Sequence, residues 1–461
     1  MKMTLTQLAA CLTQGAQHTI NPALYPEDMV IDGVVTDSRK VTRGCLFVAL
    51  VGEKFDAHDF LDDVIRQGAA AIVVQRLPDQ AGVPALVVPD TRIALGEIAH
   101  CWRAQFSLPV IGVTGSNGKT TVKEMIASIL TVAYGTEGSM ATQGNLNNEI
   151  GVPLTLFRLH AQHRAAVIEL GMNHPGEIAQ LSAIAAPTVG VVNNAQREHQ
   201  EFMQSVEAVA QENGAVITGL PADGVAVFPA GDDYADLWRG YAGTRKVLTF
   251  GLEDNSAQVD VAGQFVANEF GSELTVYIGP DILHIQLAAA GVHNVLNALA
   301  ATAACHAIGC SHASIIDGLQ NFKPVSGRLQ KKRAANGAVV IDDTYNANPD
   351  SVRAAIRVLA QASGEKILVL GDMGEVGADG PAYHVEIGAY ARQQGIQKLL
   401  TLGQLAKHST DAFGAGAAHF DEIGALQDSL DACLTGSGTV LVKGSRFMKM
   451  ERVVAHLLHS G

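Results

Sequence analysis

The sequence predicts an α/β protein of three domains, a central doubly wound sheet of the phosphate-loop type with a smaller α/β domain on each side. Three observations predict it. Short apolar runs alternate with helix-period stretches along most of the chain, the rhythm of a parallel sheet covered by helices. The stretch "VIGVTGSNGKTTVKEM" (110–125) reads as a strand, a glycine-containing loop and a helix in that order. The length, 461 residues, gives a prior of about three domains.

Hydrophobic residues at 48% and charged residues at 17% describe a globular chain with ample core material. The net charge of −14, with no basic stripe, excludes a nucleic-acid partner. The six cysteines, from Cys11 to Cys433, are scattered with no C-x-x-C pair, as expected of reduced thiols in a cytoplasmic protein. "LAAC" at 8–11 resembles a lipoprotein cleavage box, but the preceding "MKMTLTQ" lacks an apolar export core. Leu5, Leu8, Ala9 and Leu12 instead mark one face of a first helix. No apolar run approaches the ~20 residues needed to span a bilayer, so membrane insertion is not expected. Nothing in the sequence demands more than a monomer.

The first block, 1–108, carries short strands near 46–50, 71–74 and 85–88 with helices between, and ends at "FSLP". The central block, 109–325, holds the apolar runs "AAVIELG" (165–171) and "VGVVNNA" (189–195), each ending in polar residues. In such sheets ligands gather at the carboxyl ends of strands, so Glu169, Asn193 and Asn194 are expected near Lys119. "ELTVYIG" and "ILHIQLA" read as a hairpin inserted after this sheet, and "GVHNVLNALAATAACHAIG" as the following helix. The third block, 326–461, shows four strands, "AVVIDDTY", "KILVLGDMG", "KLLTLG" and "TVLVKGS", the pattern of a smaller Rossmann-like unit.

The usual phosphate loop reads G-x-x-x-x-G-K-[ST], and its first glycine would fall on Val113. The remainder agrees. Thr114, Gly115, Ser116, Asn117 and Gly118 form the turn, Lys119 can reach terminal phosphates, and the Thr120 hydroxyl can ligate magnesium, with Thr121 continuing into the helix. The competing reading is a glycine turn with a solvated lysine. Glu169 ends a buried strand, where a carboxylate needs a partner such as a metal ion; a helix-capping carboxylate is the alternative. His199 follows a strand end, as a metal ligand or as a structural histidine. Asn294 and Asn297, three apart, share one helix face and can read an adenine edge, or simply cap and pack. Arg328 sits at the junction of the second and third blocks, and Asp342 and Asp343 end a strand. An arginine and an aspartate from the third block can therefore close over a nucleotide bound to the second.

Taken together, "TGSNGKTT", Glu169, the asparagines of "HNVLN" (293–297), "GR" (327–328) and Asp343 resemble the Mur ligase family in order and approximate spacing. That family's loop is T-G-(T/S)-x-G-K-T, which Thr114 to Thr120 fits without the generic first glycine. More narrowly, "DSRKVTRGCLFVALVGEKFDAHDF", "NLNNEIGVPLTL", "DTYNANPDS", "LGDMGEVG" and "VKGSRFMKME" resemble the branch that joins D-alanyl-D-alanine to UDP-N-acetylmuramoyl-tripeptide. The resemblance implies an ATP- and magnesium-dependent carbon–nitrogen ligase of peptidoglycan synthesis, working through an acyl phosphate. It implies Lys119, Glu169 and His199 as catalytic residues, with Thr120, Glu169 and His199 on magnesium. Asn294, Asn297, Arg328 and Asp343 would hold the nucleotide. The first block would bind the UDP end of the sugar nucleotide through Ser38 and Arg39. Asn145 and Asn148 would face that substrate, and Lys443, Ser445 and Arg446 the dipeptide.

One departure stands out. Most of the family carries a lysine in a "K-G-E" context about fourteen residues after the histidine, where its carbamate helps to hold a second magnesium. Here "AVAQENGAVI" puts Asn213 there, with Glu212 before it and Ala215 in place of the glutamate. Asparagine cannot form a carbamate, so Glu212 or water is expected to compensate, without need of bicarbonate. Among rival readings, a sister ligase for another amino acid and a folylpolyglutamate synthase-like ligase fit the "DSR" and "DTYNANPDS" segments less well. A phosphate-loop switch NTPase would not need Arg328 and Asp343 in their order, and a sugar-nucleotide binding module would have no use for Lys119.

Overall fold

The computed structural model describes residues 1–12, 17–19 (backbone), 29–77, 82–198, 200–253, 259–268 and 271–459. Three principal sheets divide the chain. The first runs in the order Gln17–Thr19, Ala85–Val87, Ala71–Val74, Leu46–Val48, Val34–Val35, parallel except at its first strand. The predicted first helix forms over Leu5–Ala10, with Thr4 and Gln7 making a capping box. Helix Thr91–Arg103 joins this domain to the central one: the buried Arg103 guanidinium donates to the carbonyls of Ala185 and Ala186, and Trp102 Nε1 to that of Leu159.

The central sheet has nine strands, in the order Asp281–Leu287, Gly271–Ile278, Val261–Asn268, Lys246–Leu252, Val225–Pro229, Val189–Val192, Val110–Thr114, Ala165–Glu169, Ser139–Ala141. The phosphate-loop strand lies between the two strands singled out in the sequence. Glu169 pairs in register with Val113 on one side, and Val192 with Thr114 on the other. Both neighbours therefore deliver their polar carboxyl ends to the same loop. The expected hairpin is present but is not a separate insertion. Its strands pair antiparallel and extend the parallel sheet through Val261–Asn268. Val261, Leu274, Val276, Leu283 and Ile285 point to the same buried layer as Val295 and Leu299 of helix Val292–Ala307, which is why this edge folds into the sheet.

The third sheet has six strands: Gln330–Arg333, Val339–Asp343, Thr439–Lys443, Lys366–Gly371, Lys398–Leu402, Ala417–Phe420. Five are parallel; the sequence reading missed Gln330–Arg333, which pairs antiparallel at one edge, and Ala417–Phe420 at the other. Helices on both faces bury two apolar clusters, one around Val352, Leu359 and Ile387 and one around Leu426, Leu430 and Val453. Among the described residues no helix is long and apolar enough to cross a membrane.

Candidate active site

The carboxyl ends of the central and third sheets face each other across one cleft of about 1490 Å³. That exceeds the ~300–1,000 Å³ of a typical small-molecule site, leaving room for more than one substrate. Ser116 to Thr121, Glu169, Asn294, Asn297, Arg328 and Asp343 all line it. So do Asn145 and Asn148 on one side and Lys443, Ser445 and Arg446 on the other.

The loop differs from a simple phosphate cradle. The Gly115 N–H donates to Asn213 Oδ1 (3.0 Å), the Ser116 N–H to the Asn194 carbonyl (3.1 Å), and the Asn117 N–H to Asn194 Oδ1 (2.9 Å). Protein groups thus occupy the amides that a generic loop would offer to phosphate. What points into the cleft is the first turn of helix Lys119–Tyr134, which has no side-chain cap. Its orphan N–H groups and positive end favour an anion. Thr114 lies beneath the loop, its hydroxyl donating to the carbonyls of Val191 and Asn213.

A chain of amides supports the turn. Asn193 Nδ2 donates to the Asn117 carbonyl (2.7 Å) and to Asn297 Oδ1 (2.8 Å), and Asn297 Nδ2 donates to Asn294 Oδ1 (3.1 Å). Gly118, at φ +82°, is required here, because a Cβ would lie 2.4 Å from Asn297 Oδ1. Gly115, at φ +128°, is equally constrained by Asn193. Asn294 and Asn297 do share a face, but their amides are engaged with each other, with the Ala290 carbonyl and with Asn193.

Lys119 Nζ pairs with Glu198 Oε1 at 2.9 Å and also donates to the Ser116 carbonyl. Thr120 Oγ1 donates to Glu169 Oε1 (3.2 Å) and accepts from Arg328 Nη2 (2.9 Å), so the arginine of the third domain reaches the phosphate-loop threonine. The Arg328 guanidinium stacks 4.2 Å from the Tyr345 ring, and the junction is bent by Gly327 and by Leu329 at φ +51°. Glu169, 2% exposed, also accepts from Asn147 Nδ2 (2.9 Å), yet its Oε2 is buried with no hydrogen-bond partner. An orphaned carboxylate oxygen beside a threonine hydroxyl suits a hard cation such as magnesium. His199 lies outside the described residues.

Several expectations need correcting. Asn213 is 1% exposed and its oxygen holds the Gly115 amide, so it is not turned toward a metal. Glu212 does not compensate, because its two oxygens accept from the N–H groups of Gly176 and Ile178 and cap helix Glu177–Ala185. Asp342 pairs with Lys332 and bonds Thr344, and does not line the cleft. Lys443 is 3% exposed and its ammonium holds Asp343 Oδ2 (2.6 Å) and the Asn346 carbonyl, so it positions that aspartate. Ser445 is likewise engaged, accepting from the Gly374 N–H and donating to the Ala347 carbonyl. Arg446 remains exposed, beside Glu451. Ser38 and Arg39 do not line the cleft; Arg39 forms an exposed pair with Asp37, which holds that carboxyl down near about 2. Asn148 Oδ1 caps helix Gly151–Leu156 through the Gly151 N–H.

The sequence reading placed the run 145–148 toward the substrate, naming Asn145 and Asn148, without foreseeing that Asn147 bonds Glu169, and it missed Glu198 and Gln196. Gln196 Oε1 accepts from Asn117 Nδ2 (2.7 Å) and its N–H donates to Ser116 Oγ. Proximity to a strand end was the only signal for these. It also missed Phe447, whose ring is 63% exposed at the mouth of the cleft and sits against Gly374.

Comparison with known families divides the chain as its sheets do. Residues 30–103 match the Mur ligase family catalytic domain, 113–305 the Mur ligase middle domain, and 327–446 the Mur ligase glutamate ligase domain. The chain belongs to the Mur ligase family. A Mur ligase of Escherichia coli, UDP-N-acetylmuramoyl-tripeptide–D-alanyl-D-alanine ligase, is 41% identical over 100% of this chain and 99% of its own length. The crystal structure of MurF from Acinetobacter baumannii superimposes with a TM-score of 0.91 at 33% identity, covering 99% of both chains. The structure of MurF ligase from Thermotoga maritima in complex with ADP gives 0.83 at 27% identity, covering 92% of this chain and 96% of that one. The three-domain Mur ligase fold predicted from the sequence is therefore the fold observed.

Proposed function

We propose that this protein joins D-alanyl-D-alanine to UDP-N-acetylmuramoyl-tripeptide at the expense of ATP, giving the pentapeptide precursor of peptidoglycan in the cytoplasm. A carboxylate is a poor electrophile, because its charge repels an amine and oxide does not leave. Transfer of the γ-phosphoryl group from ATP to the tripeptide carboxylate gives an acyl phosphate. The dipeptide amine then attacks the carbonyl carbon, the amide forms, and phosphate leaves with one oxygen of the original carboxylate.

Such transfer needs positioning and charge neutralisation more than covalent help from the protein. Lys119 exchanges Glu198 for the terminal phosphate, while the first turn of helix Lys119–Tyr134 holds phosphate oxygens through its N–H groups. Thr120 and Glu169 would hold magnesium, with His199 as a third ligand by family resemblance; the ion would neutralise charge on the phosphates. Arg328 and Asp343 reach the nucleotide from the third domain, with Lys443 fixing Asp343. The single observation that carries this reading is the buried, unpartnered Glu169 Oε2 beside Thr120 at the head of the loop. Arg446 and the exposed ring of Phe447 suit the carboxylate and methyl groups of the dipeptide. The first domain is left with the UDP end of the sugar nucleotide.

The test is phosphate release with ATP and magnesium, adding each substrate alone and both together, with mass analysis of the product. Release that needs both, with the pentapeptide nucleotide formed, supports the reading. Lys119→Ala should then lower the rate by about 10²–10³-fold, the usual effect of removing one transition-state charge stabiliser. Release without the dipeptide would point to a switch NTPase.

A further inference from the structure

Segment Gln196–Glu198 touches the phosphate loop on both sides of Arg197, through Gln196 on Ser116 and Asn117 and Glu198 on Lys119. Arg197 itself turns the other way. It does not line the cleft. Its N–H donates to Asp350 Oδ2 (2.9 Å), Nη2 to Asp350 Oδ1 (2.7 Å), and Nη1 to Glu386 Oε2 (2.7 Å). The guanidinium also lies 5.3 Å from the Tyr383 ring centre. Both carboxylates belong to the third domain, and the pairing holds the Arg197 pKa above its ordinary value. Asp350 stands in the first turn of helix Pro349–Ala360, whose capping residue Asn348 donates to Asn117 Oδ1 (2.9 Å). Glu386 is held in turn by Arg353, whose guanidinium stacks on Tyr390. Arg197 is 24% exposed at its side chain and the two carboxylates 25% and 31%, so the cluster is only partly screened by water.

We propose that Arg197 is a positioning residue: through Asp350 and Glu386 it holds the third domain closed over the phosphate loop, and it touches no substrate. Because its neighbours contact Lys119 and Asn117, closure and loading of the loop are mechanically linked through one tripeptide. Arg328 and Asp343 then meet the nucleotide only when this clasp is made. The activity arm of the test rests on the ligase reading above; the shape arm does not.

The full-length protein is compared as wild type, Arg197→Gln, Glu386→Gln and the double variant, with thermal unfolding to confirm folding. Small-angle scattering reports closure, and steady-state kinetics report kcat and the KM for ATP. Each single variant should expand the radius of gyration and lower kcat by about ten- to a hundredfold, with a smaller change in KM for ATP. The double variant should be no worse than the poorer single, since both act through one clasp. Glu386 lies off the cleft and its carboxylate pairs with Arg197 and Arg353, so its effect separates the clasp from direct contact. Loss of activity in Arg197→Gln with Glu386→Gln unchanged, or an unaltered radius in both, would overturn the proposal. If the wild type ligates nothing, the scattering result still decides it.

Discussion

The two walls of the cleft are built from different chemistry. Beside the Lys119–Glu198 pair and Glu169, the central-domain side supports its loop with a web of neutral amides, Asn117, Asn193, Asn194, Asn213 and Asn297, each bonded to the next or to the loop backbone. The third-domain side is ionic, with Lys443 on Asp343 in the cleft, Arg353 on Glu386, and both Asp350 and Glu386 on Arg197 of the central domain, Arg197 and Glu386 lying off the cleft. Amides can satisfy one another in a dry interior without a charge to desolvate, so they suit a loop that must keep one shape. Charged pairs form and break with less dependence on fine geometry and steer approach, so they suit a surface that closes. The phosphate loop is thus preorganised by its own domain, whereas the pairs of Arg197 with Asp350 and Glu386 form only where the two domains meet.

Removing one partner on each wall sharpens the contrast. Lys443→Ala leaves Asp343 without its cation in a buried place, and unfolding should show a loss of about 3–5 kcal/mol. Asn297→Ala removes an acceptor from Asn193 and should cost about 1–3 kcal/mol by the same measurement. Equal losses would mean that the walls do not differ as described. A still smaller effect concerns acid. Burial holds His384 below its ordinary value, with its Nε2 accepting from the Met373 N–H, and pushes His293 down to about 4. The folded state therefore binds fewer protons than the unfolded state below about pH 6.5, so stability should fall as pH drops from there and level off below the folded values. A melting temperature that rose on acidification to pH 5 would contradict this. The smallest expected effect is none. With Asn213 holding Gly115, added bicarbonate should leave the initial rate unchanged, and a rate that rose with bicarbonate would restore the carbamate reading elsewhere in the chain.

How much of this was legible in the sequence follows from distance along the chain. The phosphate loop, Glu169 at its strand end and the Asn294/Asn297 face were readable because strand, turn and helix periodicity are local signals. The parallel core of each sheet followed from the same rhythm. What escaped was pairing between remote segments. Lys119 meets Glu198 79 residues on, Asn193 meets Asn297 across 104, Arg197 meets Asp350 across 153, and Asn117 meets Asn348 across 231. Residue type alone did not separate Asn147, which bonds Glu169, from Asn145 and Asn148 beside it. Nor did it reveal that Lys443 and Asp343 pair, because that depends on Val339–Asp343 and Thr439–Lys443 lying in register. The hairpin read as an insertion joined the sheet because its apolar face had a helix to cover, a tertiary fact.

On the proposed reaction, the cleft activates a carboxylate with the terminal phosphate of ATP. The most direct measurement uses UDP-N-acetylmuramoyl-tripeptide carrying heavy oxygen in its terminal carboxylate, with ATP, magnesium and D-alanyl-D-alanine, and mass analysis of the phosphate released. One heavy oxygen is expected in each phosphate, carried over from the carboxylate when the amine displaces it. Phosphate free of the label would mean that water, not the carboxylate, had attacked ATP, and that no acyl phosphate forms.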